Sequence, residues 1–289
     1  MSSLLNKIKH KKAPPPPPPR KPAHLSGSTT GDDNAAAMLI RKRCLLWDWT
    51  STRDKIPAIP YLTSTPNLFV SCHNWNAWAP PEIEGKVTFQ PMVRVEASLS
   101  GNDWAMIADN PHPVIHYLNE PERFNPPMSP ARAAEAWRTQ MLPLRSSSPG
   151  GKKLVGPACA SDEGGTRWLD DFMQRVADDP PDFLGLHYYG PNGDAAVAYL
   201  QARHALYPNL PVIVSEIACI SRHADEVRRF TAQLCNWMDR TDWIAEYGFF
   251  GCMQECADAF VSPAAQLMTR EGRPTALMDK LMREQPMKP

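Results

Sequence analysis

Two glutamates stand at the ends of two apolar, β-prone segments, a pattern that can carry acid–base chemistry. The first segment, PVIHYLNEPE, delivers Glu120, and the second, PVIVSEIA, delivers Glu216. A parallel strand buried on both faces is a continuous apolar run, and in an eight-stranded α/β barrel its carboxyl end opens into the active site. Glycoside hydrolysis needs two carboxyl groups that face each other: one protonates the leaving oxygen, and the other attacks the sugar or activates water.

Each glutamate also has a structural interpretation. Glu120 follows Asn119, whose amide can bond the hydroxyl next to the reacting carbon, and burial is expected to raise the pKa of Glu120 as an acid catalyst requires. Alternatively, Glu120 caps the next helix or pairs with Arg123. Glu216 places a single charge inside an apolar run, which is costly unless the charge is paired or solvated. Its alternative role is an ion pair with Arg222 or another basic neighbour.

Aromatic and amide side chains near other strand ends are candidates for sugar binding. They are His187, Tyr188 and Tyr189 after the sixth apolar run, and Trp47, Trp49, Asn74, Trp75 and Trp78 after the first two. A histidine there can bond a sugar hydroxyl or orient Glu216, and an aromatic ring offers a flat apolar surface for a sugar. The alternative is that these rings pack in the core.

The sequence excludes several other kinds of site. It has no GxSxG elbow, no GxxxxGK[ST] loop and no HExxH motif. The seven cysteines are scattered, and Cys252 and Cys256 have no second Cys/His pair nearby to complete a zinc site. We therefore predict no metal ion and no organic cofactor.

Residues 1–40 are predicted to be a disordered, basic, proline-rich tail, and residues 41–289 the catalytic domain. Six prolines, Pro14–Pro19, precede Arg20, and this PxxPxR pattern is either a ligand for an SH3-type domain or part of a spacer. Residues 1–43 hold nine Lys/Arg and two Asp, so the remainder carries about −7, which argues against nucleic acid as a partner.

The chain shows no secretory signal and no apolar run of membrane-spanning length. A cytoplasmic location is therefore expected, or an extracellular one if the start site is misassigned. We expect no membrane association, and we expect a monomer.

Strand-like and helix-like segments alternate from about residue 43. The strand-like runs are Cys44–Trp49, Leu68–His73, Val87–Val95, Val114–Leu118, Leu154–Ala160, Phe183–Tyr189, Val212–Ser215 and Ile244–Phe250. The helix-like segments are Thr52–Leu62, Ser129–Leu144, Thr166–Ala177, Asp194–Leu206, Asp225–Met238 and Thr275–Met282. Alternation favours parallel strands with helical crossovers. Because no Gly-rich phosphate turn follows the first strand, we predict a single (β/α)8 TIM barrel rather than an open doubly wound sheet.

With these motifs in place, the chain resembles the Asl1-like glycosyl hydrolase catalytic domain family, a mostly fungal group of β-1,3-glucanases. The resemblance runs from about Lys42 to Met282. It depends on the order and spacing of LNEPE at 118–122, MSP at 128–130, GPA at 156–158, WLDDF at 168–172, HYYG at 187–190 and SEIA at 215–218. It implies a TIM barrel of the large retaining clan.

The resemblance also implies roles for single residues. Glu120 would be the acid/base, Glu216 the nucleophile, and Asn119 a partner of the sugar 2-hydroxyl. The family usually has His-Trp-Tyr-Gly where this chain has HYYG, and it tends to place tryptophan on the last strand, where this chain has Phe249 and Phe250. Phe249 is therefore added to the candidate substrate-binding residues.

The sequence thus predicts a glycoside hydrolase that cleaves β-1,3-glucan by a retaining double displacement. One alternative is a barrel that binds β-glucan or its oligosaccharides with little turnover. Another is an adaptor whose functional part is the proline tract. The sequence leaves endo and exo action undecided.

Overall fold

The computed structural model describes residues 40–63, 67–83, 85–109, 111–147, 151–256 and 260–289. The predicted basic tail and the proline tract Pro14–Pro19 therefore lie outside the described residues, apart from residue 40. Within the described part of the chain, no helix is both long and apolar enough to cross a membrane.

Short parallel strands form the wall of a barrel. They are β1 (Arg43–Leu46), β2 (Phe69–His73), β3 (Thr88–Gln90), β4 (Met92–Val93), β5 (Val114–Tyr117), β6 (Lys153–Val155), β7 (Leu184–Gly190), β8 (Val212–Cys219) and β9 (Ile244–Phe249). Pro91 separates β3 from β4, because proline has no N–H to donate to a ladder. The two strands therefore occupy one position in the barrel wall.

The pairings close into a ring of eight positions. One sheet has the order β3-β2-β1-β9-β8-β7, and the other has the order β4-β5-β6. The sheets are joined at Pro91 on one side, and on the other by a parallel bridge from Val155 to Phe183. All strand pairs are parallel. The predicted (β/α)8 barrel is confirmed.

Helices cover the outside of the strands. They are α1 (Trp49–Arg53), α2 (Ile59–Thr63), α3 (Gly101–Ala108), α4 (Pro130–Ala136), α5 (Glu163–Arg175), α6 (Gly193–Leu206), α7 (Ala224–Arg240) and α8 (Ala276–Arg283). Local sequence explains their ends: Ser129 caps α4 with Pro130 at its first turn, and Asp162 caps α5 by accepting a bond from the Gly165 amide. On α5, Trp168 and Phe172 lie on one buried face.

Several predicted boundaries differ from the structure. The segment Thr52–Leu62 forms two short helices, α1 and α2, and α3 was not predicted. Helix α4 ends at Ala136 and continues as a π-turn (Trp137–Met141) and a 3-10 helix (Leu142–Ser146). Strand β6 ends at Val155 because Pro157 follows, whereas β8 extends to Cys219.

Strand residues alternate between two apolar layers. Cys44, Leu46, Trp75 and Met92 form a cluster inside the barrel, with Phe250 packed against it. Leu45 and Trp47 belong instead to the layer between strands and helices. Successive side chains of a strand point to opposite faces, so this alternation decides which strand-end residues reach the barrel mouth.

Candidate active site

Glu120 is held by the two strands on either side of β5. Its backbone N–H donates to the Ala158 carbonyl at 2.8 Å, and the N–H of Asn119 donates to the Arg94 carbonyl at 3.0 Å. Leu118 and Glu120 have φ values of 57° and 42°, the left-handed region that non-glycine residues seldom adopt. The chain therefore turns sharply at the end of β5. The Glu120 side chain remains 25% exposed.

Glu216 is more deeply buried and has two hydrogen-bond donors. The indole N–H of Trp75 donates to Oε1 at 2.6 Å, and the Tyr189 hydroxyl donates to Oε2 at 2.6 Å. The β8–β9 register shifts between Val214 and Ile217, so Glu216 lies at an irregularity in β8. Its side chain is 8% exposed. The predicted alternative was an ion pair with Arg222 or another basic neighbour, and the basic neighbour is His187, whose Nε2 lies 3.5 Å from Oε1.

His187 lies between the two carboxylates. Its Nδ1 is 3.0 Å from Glu120 Oε1, and its Nε2 is 3.5 Å from Glu216 Oε1. One oxygen of each glutamate and a ring nitrogen of His187 all lie within 4.8 Å of one another. The imidazole is completely buried, so it makes no direct contact with a substrate and acts only through the glutamates.

The ionisation of the site differs from the sequence-based expectation. Burial acts to raise the pKa of Glu120, but the hydrogen bond and charge of His187, with the charge of Arg123, outweigh it and leave that pKa below its ordinary value. Burial acts to lower the pKa of His187, and the charges of Glu216 and Glu120 outweigh it, so that pKa is raised. The predicted rise in the Glu120 pKa is wrong for the site without substrate. Both shifts favour the charged forms of this pair, a carboxylate on Glu120 and an imidazolium on His187.

Three ligand atoms this close together are also sufficient to contact a metal ion. Both His187 nitrogens, however, already face carboxylate oxygens. The arrangement fits a shared proton, and the absence of a metal or cofactor requirement stays a prediction.

A cleft of about 660 Å³ opens above the pair. It is lined by Asp48, Trp49, Trp75, Arg94, Asn119, Glu120, Arg123, Ala160, Ser161, Asp162, Tyr189, Glu216, Phe250, Phe260 and Val261. The predicted catalytic and substrate-binding residues that line it are Glu120, Glu216, Asn119, Trp49, Trp75 and Tyr189. His187 lies beneath them with no exposed surface, so the prediction that it binds a sugar hydroxyl directly is wrong. A cleft of this size accommodates a short oligosaccharide segment.

Two predicted substrate contacts on the first strands do not reach the cleft. Trp47 has no exposed surface; its ring packs 5.3 Å from the Tyr61 ring in the outer layer. Asn74 is also fully buried, and its amide donates to the Trp78 carbonyl at 3.0 Å. Asn74 therefore shapes the loop that presents Trp75, and the prediction that Trp47 and Asn74 bind substrate is wrong.

Two more candidates point away from the barrel axis. The Tyr188 ring lies 5.6 Å from the Tyr199 ring on α6, on the opposite face from His187 and Tyr189. Phe249 is 6% exposed and packs 6.1 Å from Tyr247 in the helix-facing layer. The prediction that they bind substrate is wrong because adjacent strand residues face opposite sides. On the last strand, Phe250 lines the cleft instead of Phe249.

Other residues that line the cleft could not be recognised as site residues from the sequence. Asp48, Arg94, Arg123, Asp162 and Phe260 lie in loops after strands, where a charged or aromatic residue is common on any surface. Arg123 pairs with Asp162 rather than with Glu120. Trp49, a sequence candidate for the mouth, does line the cleft, and the Arg53 guanidinium lies 3.5 Å from its ring centroid.

The model of one protein family, described as the glycosyl hydrolase catalytic core, matches residues 47–280. This range contains both glutamates, His187 and all cleft-lining residues. The chain belongs to this family.

Known proteins of this kind resemble the chain to different degrees. A solved GH128 (subgroup VI) exo-β-1,3-glucanase from Aureobasidium namibiae is 46% identical, covers 88% of this chain and 100% of its own, and superposes with a TM-score of 0.84. A GH128 (subgroup V) exo-β-1,3-glucanase from Cryptococcus neoformans is 24% identical over 84% of this chain and 100% of its own, with a TM-score of 0.68, and shares the fold.

A curated relative is Alkali-sensitive linkage protein 1 of Schizosaccharomyces pombe, 27% identical over 169 residues. The match covers 56% of this chain and 29% of that protein's length. The chain therefore spans under a third of that relative.

Proposed function

We propose that this protein hydrolyses β-1,3-glucan with retention of configuration. The observation that carries the proposal is the pair Glu120 and Glu216, whose oxygens approach within 4.8 Å at the base of an open cleft. Retaining glycosidases hold their two carboxyl groups about 5–5.5 Å apart, whereas inverting enzymes need about 6.5–9.5 Å to admit a water. The linkage is supported by the Aureobasidium namibiae relative, described as an exo-β-1,3-glucanase.

The hydrogen bonds assign different roles to the two glutamates. Glu216 accepts a donor on each oxygen, from Trp75 and Tyr189, which suits a residue that acts as a fixed carboxylate. We therefore assign Glu216 as the nucleophile. Glu120 is a quarter exposed and touches His187, a group that can give or take a proton. We assign Glu120 as the acid/base.

The reaction then proceeds in two displacements. A Glu216 oxygen forms a bond to the anomeric carbon while the bond to the leaving oxygen breaks, and that oxygen takes a proton from Glu120. Glu120, now a carboxylate, removes a proton from water as the water oxygen attacks the anomeric carbon. The ester bond to Glu216 breaks, which releases the sugar with its original configuration and restores the proton to Glu120.

His187 supplies the proton that this scheme requires. In the site without substrate the lowered pKa of Glu120 and the raised pKa of His187 favour the proton on the imidazole, which lies 3.0 Å from Glu120. A bound glucan excludes water from the cleft and weakens the solvation of the ion pair, which favours the neutral pair of imidazole and carboxylic acid. Binding thereby moves the proton to Glu120, where the leaving group needs it.

Asn119 is suited to the hydroxyl next to the reaction centre. It lines the cleft beside Glu120, and its Oδ1 is buried with no hydrogen-bond partner among the described residues. Its side chain thus has bonding capacity left for the 2-hydroxyl, a contact that strengthens in the transition state.

We further propose exo action, supported by the 46% identical relative. A more distant GH128 enzyme, from Amycolatopsis mediterranei, has been solved in complex with laminaritriose, which makes short β-1,3-gluco-oligosaccharides suitable ligands to test. Exo action predicts that laminarin hydrolysis yields short products of one size from the first minutes, while the long chains shorten slowly. A ladder of intermediate sizes at early times would contradict it.

The proposal is tested by reducing-sugar release from laminarin with the full chain, Glu216→Gln and Glu120→Gln. We expect Glu216→Gln to lower the rate by about a thousandfold or more. Glu120→Gln should lose less activity on an aryl glycoside, whose leaving group needs no protonation, than on laminarin. Glu135→Gln is the matched control, because Glu135 is exposed on α4 and lies outside the cleft lining.

Two results would contradict the proposal. Binding of laminari-oligosaccharides by all four proteins without turnover would favour the oligosaccharide-binding alternative. Turnover that survives Glu216→Gln would remove the assigned nucleophile.

A further inference from the structure

Phe250 lies at the end of the last strand and contacts both rings that hold Glu216. Its ring is 5.5 Å from the Trp75 ring at an interplanar angle of 68°, and 5.9 Å from the Tyr189 ring at 75°. These are edge-to-face contacts, the arrangement that aromatic pairs favour. Trp75 and Tyr189 are the two residues that donate hydrogen bonds to the Glu216 carboxylate.

Phe250 is itself fixed from below. It packs against the interior cluster of Cys44, Leu46, Trp75 and Met92, which fills the barrel beneath the cleft. Its backbone N–H donates to the Ile217 carbonyl at 3.0 Å, next to Glu216 in sequence. The ring is therefore anchored to the barrel core and to the strand that carries the carboxylate.

Each donor ring also has other neighbours: Trp75 packs in the interior cluster, 5.6 Å from the His73 ring, and the Tyr189 ring lies 5.1 Å from that of Phe260. Trp75 lies in the loop after β2 with a φ of 60°, and Tyr189 lies near the end of β7 with its ring at the cleft surface. A ring that touches both donors restricts both at once. Without it, each donor loses one of the contacts that keep its ring beside Glu216.

We infer that Phe250 is a positioning residue, which fixes the Glu216 nucleophile by holding Trp75 and Tyr189 in hydrogen-bonding geometry. The expected effect on catalysis rests on the proposed function, whereas the effect of Phe250 on the positions of Trp75 and Tyr189 does not. The competing explanation is that Phe250, which lines the cleft, only stacks on a sugar.

The structural test needs no turnover. The indole N–H of Trp75 gives a separate ¹H–¹⁵N NMR signal, assigned by its loss in Trp75→Phe, and a short bond to a carboxylate moves that proton downfield. We expect Phe250→Ala to shift this signal upfield, and Phe250→Leu, which keeps part of the bulk, to shift it less. An unchanged Trp75 signal in both variants overturns the inference whether or not the protein is an enzyme.

The kinetic test separates positioning from stacking. If Phe250 positions the nucleophile, Phe250→Ala lowers kcat on laminari-oligosaccharides about 10- to 100-fold, because small misplacements of reacting groups cost rate. Laminaritriose affinity, measured in the Glu120→Gln background, changes less than about threefold. Phe250→Leu recovers most of kcat and also provides a folded variant if the alanine variant fails to fold.

The opposite pattern contradicts the inference. A weaker laminaritriose affinity with unchanged kcat would show that Phe250 only stacks on sugar. Phe260→Ala is the comparison variant, because Phe260 lines the same cleft and contacts Tyr189 at 5.1 Å but is half exposed. We expect Phe260→Ala to leave the Trp75 signal in place.

Discussion

We expect Glu246→Gln to remove a pH-dependent loss of stability in the barrel. Glu246 lies on β9, in the barrel interior beside Gln90 and His116. Burial raises the pKa of Glu246 to about 7, and the side chains of Ser71, Gln90 and Cys44 offset burial only in part. The carboxyl group is therefore neutral when folded at a pH where it is ionised in the unfolded chain.

The direction and size of this change in the free energy of unfolding follow from the pKa of Glu246 in the folded and in the unfolded chain. Below pH about 4.5 the group is protonated in both states and has no effect. Between pH about 4.5 and about 7 only the unfolded chain ionises, so the free energy of unfolding falls as pH rises. Above pH about 7 the loss is complete. A difference of about 2.5 units at 1.36 kcal/mol each gives about 3 kcal/mol.

The assay is urea unfolding of the parent and the variant at pH about 4.5 and about 8.5. Glutamine resembles the protonated carboxyl group, so the variant should gain about 3 kcal/mol relative to the parent between the two pH values. Glu255→Gln removes a charge at an exposed position, so its free energy of unfolding should differ little from that of the parent at both pH values. An equal difference between Glu246→Gln and parent at both pH values would refute the argument.

Three further outcomes are expected. Tyr189→Phe removes a donor 2.6 Å from Glu216 and should lower kcat about 10- to 100-fold, since a bond to a charged group contributes about 1.5–3 kcal/mol; an unchanged kcat would count against the nucleophile's assignment. His187→Gln should move the basic limb of the kcat/KM–pH profile to lower pH. The raised pKa of His187 keeps the catalytic proton in the site above pH about 6.5, and glutamine cannot hold that proton. An unmoved basic limb would argue against a proton shared by His187 and Glu120. The buried guanidinium of Arg43 lies 3.0 Å from the Asp239 carboxylate, and Asp239→Ala leaves it without a charge partner. The free energy of unfolding in urea should fall by about 3–5 kcal/mol; a fall below about 1 kcal/mol would contradict this argument.

The sequence was sufficient for the barrel and for both glutamates because those signals are local. Strand segments of a parallel barrel are continuous apolar runs, and a glutamate that ends such a run stands out in the sequence. Helix α5 was predicted as the segment Thr166–Ala177, and its residues Trp168 and Phe172 form one buried face. Helix α3 was missed because Gly101 begins it and its apolar face is short.

The errors at the site come from the facing of side chains. Trp47, Tyr188 and Phe249 were each predicted to line the cleft, and each lies one residue away from the face that reaches the mouth. A shift of one residue reverses the face in a strand. An apolar run buried on both sides does not show which face is inside.

The ionisation of Glu120 was beyond the sequence for another reason. Its apolar segment indicated burial, but the charge that dominates comes from His187, 67 positions away in sequence and 3.0 Å away in space. Such a contact depends on how the strands close into the barrel, which local patterns do not encode.

The most direct test of the central claim is the configuration of the first product. ¹H NMR spectra recorded during hydrolysis of a laminari-oligosaccharide resolve the α and β anomers of the new reducing end before they interconvert. Two carboxylates within 4.8 Å predict that the β anomer appears first and the α anomer grows in slowly by mutarotation. Initial appearance of the α anomer would show inversion and would contradict the assignment of Glu216 as nucleophile.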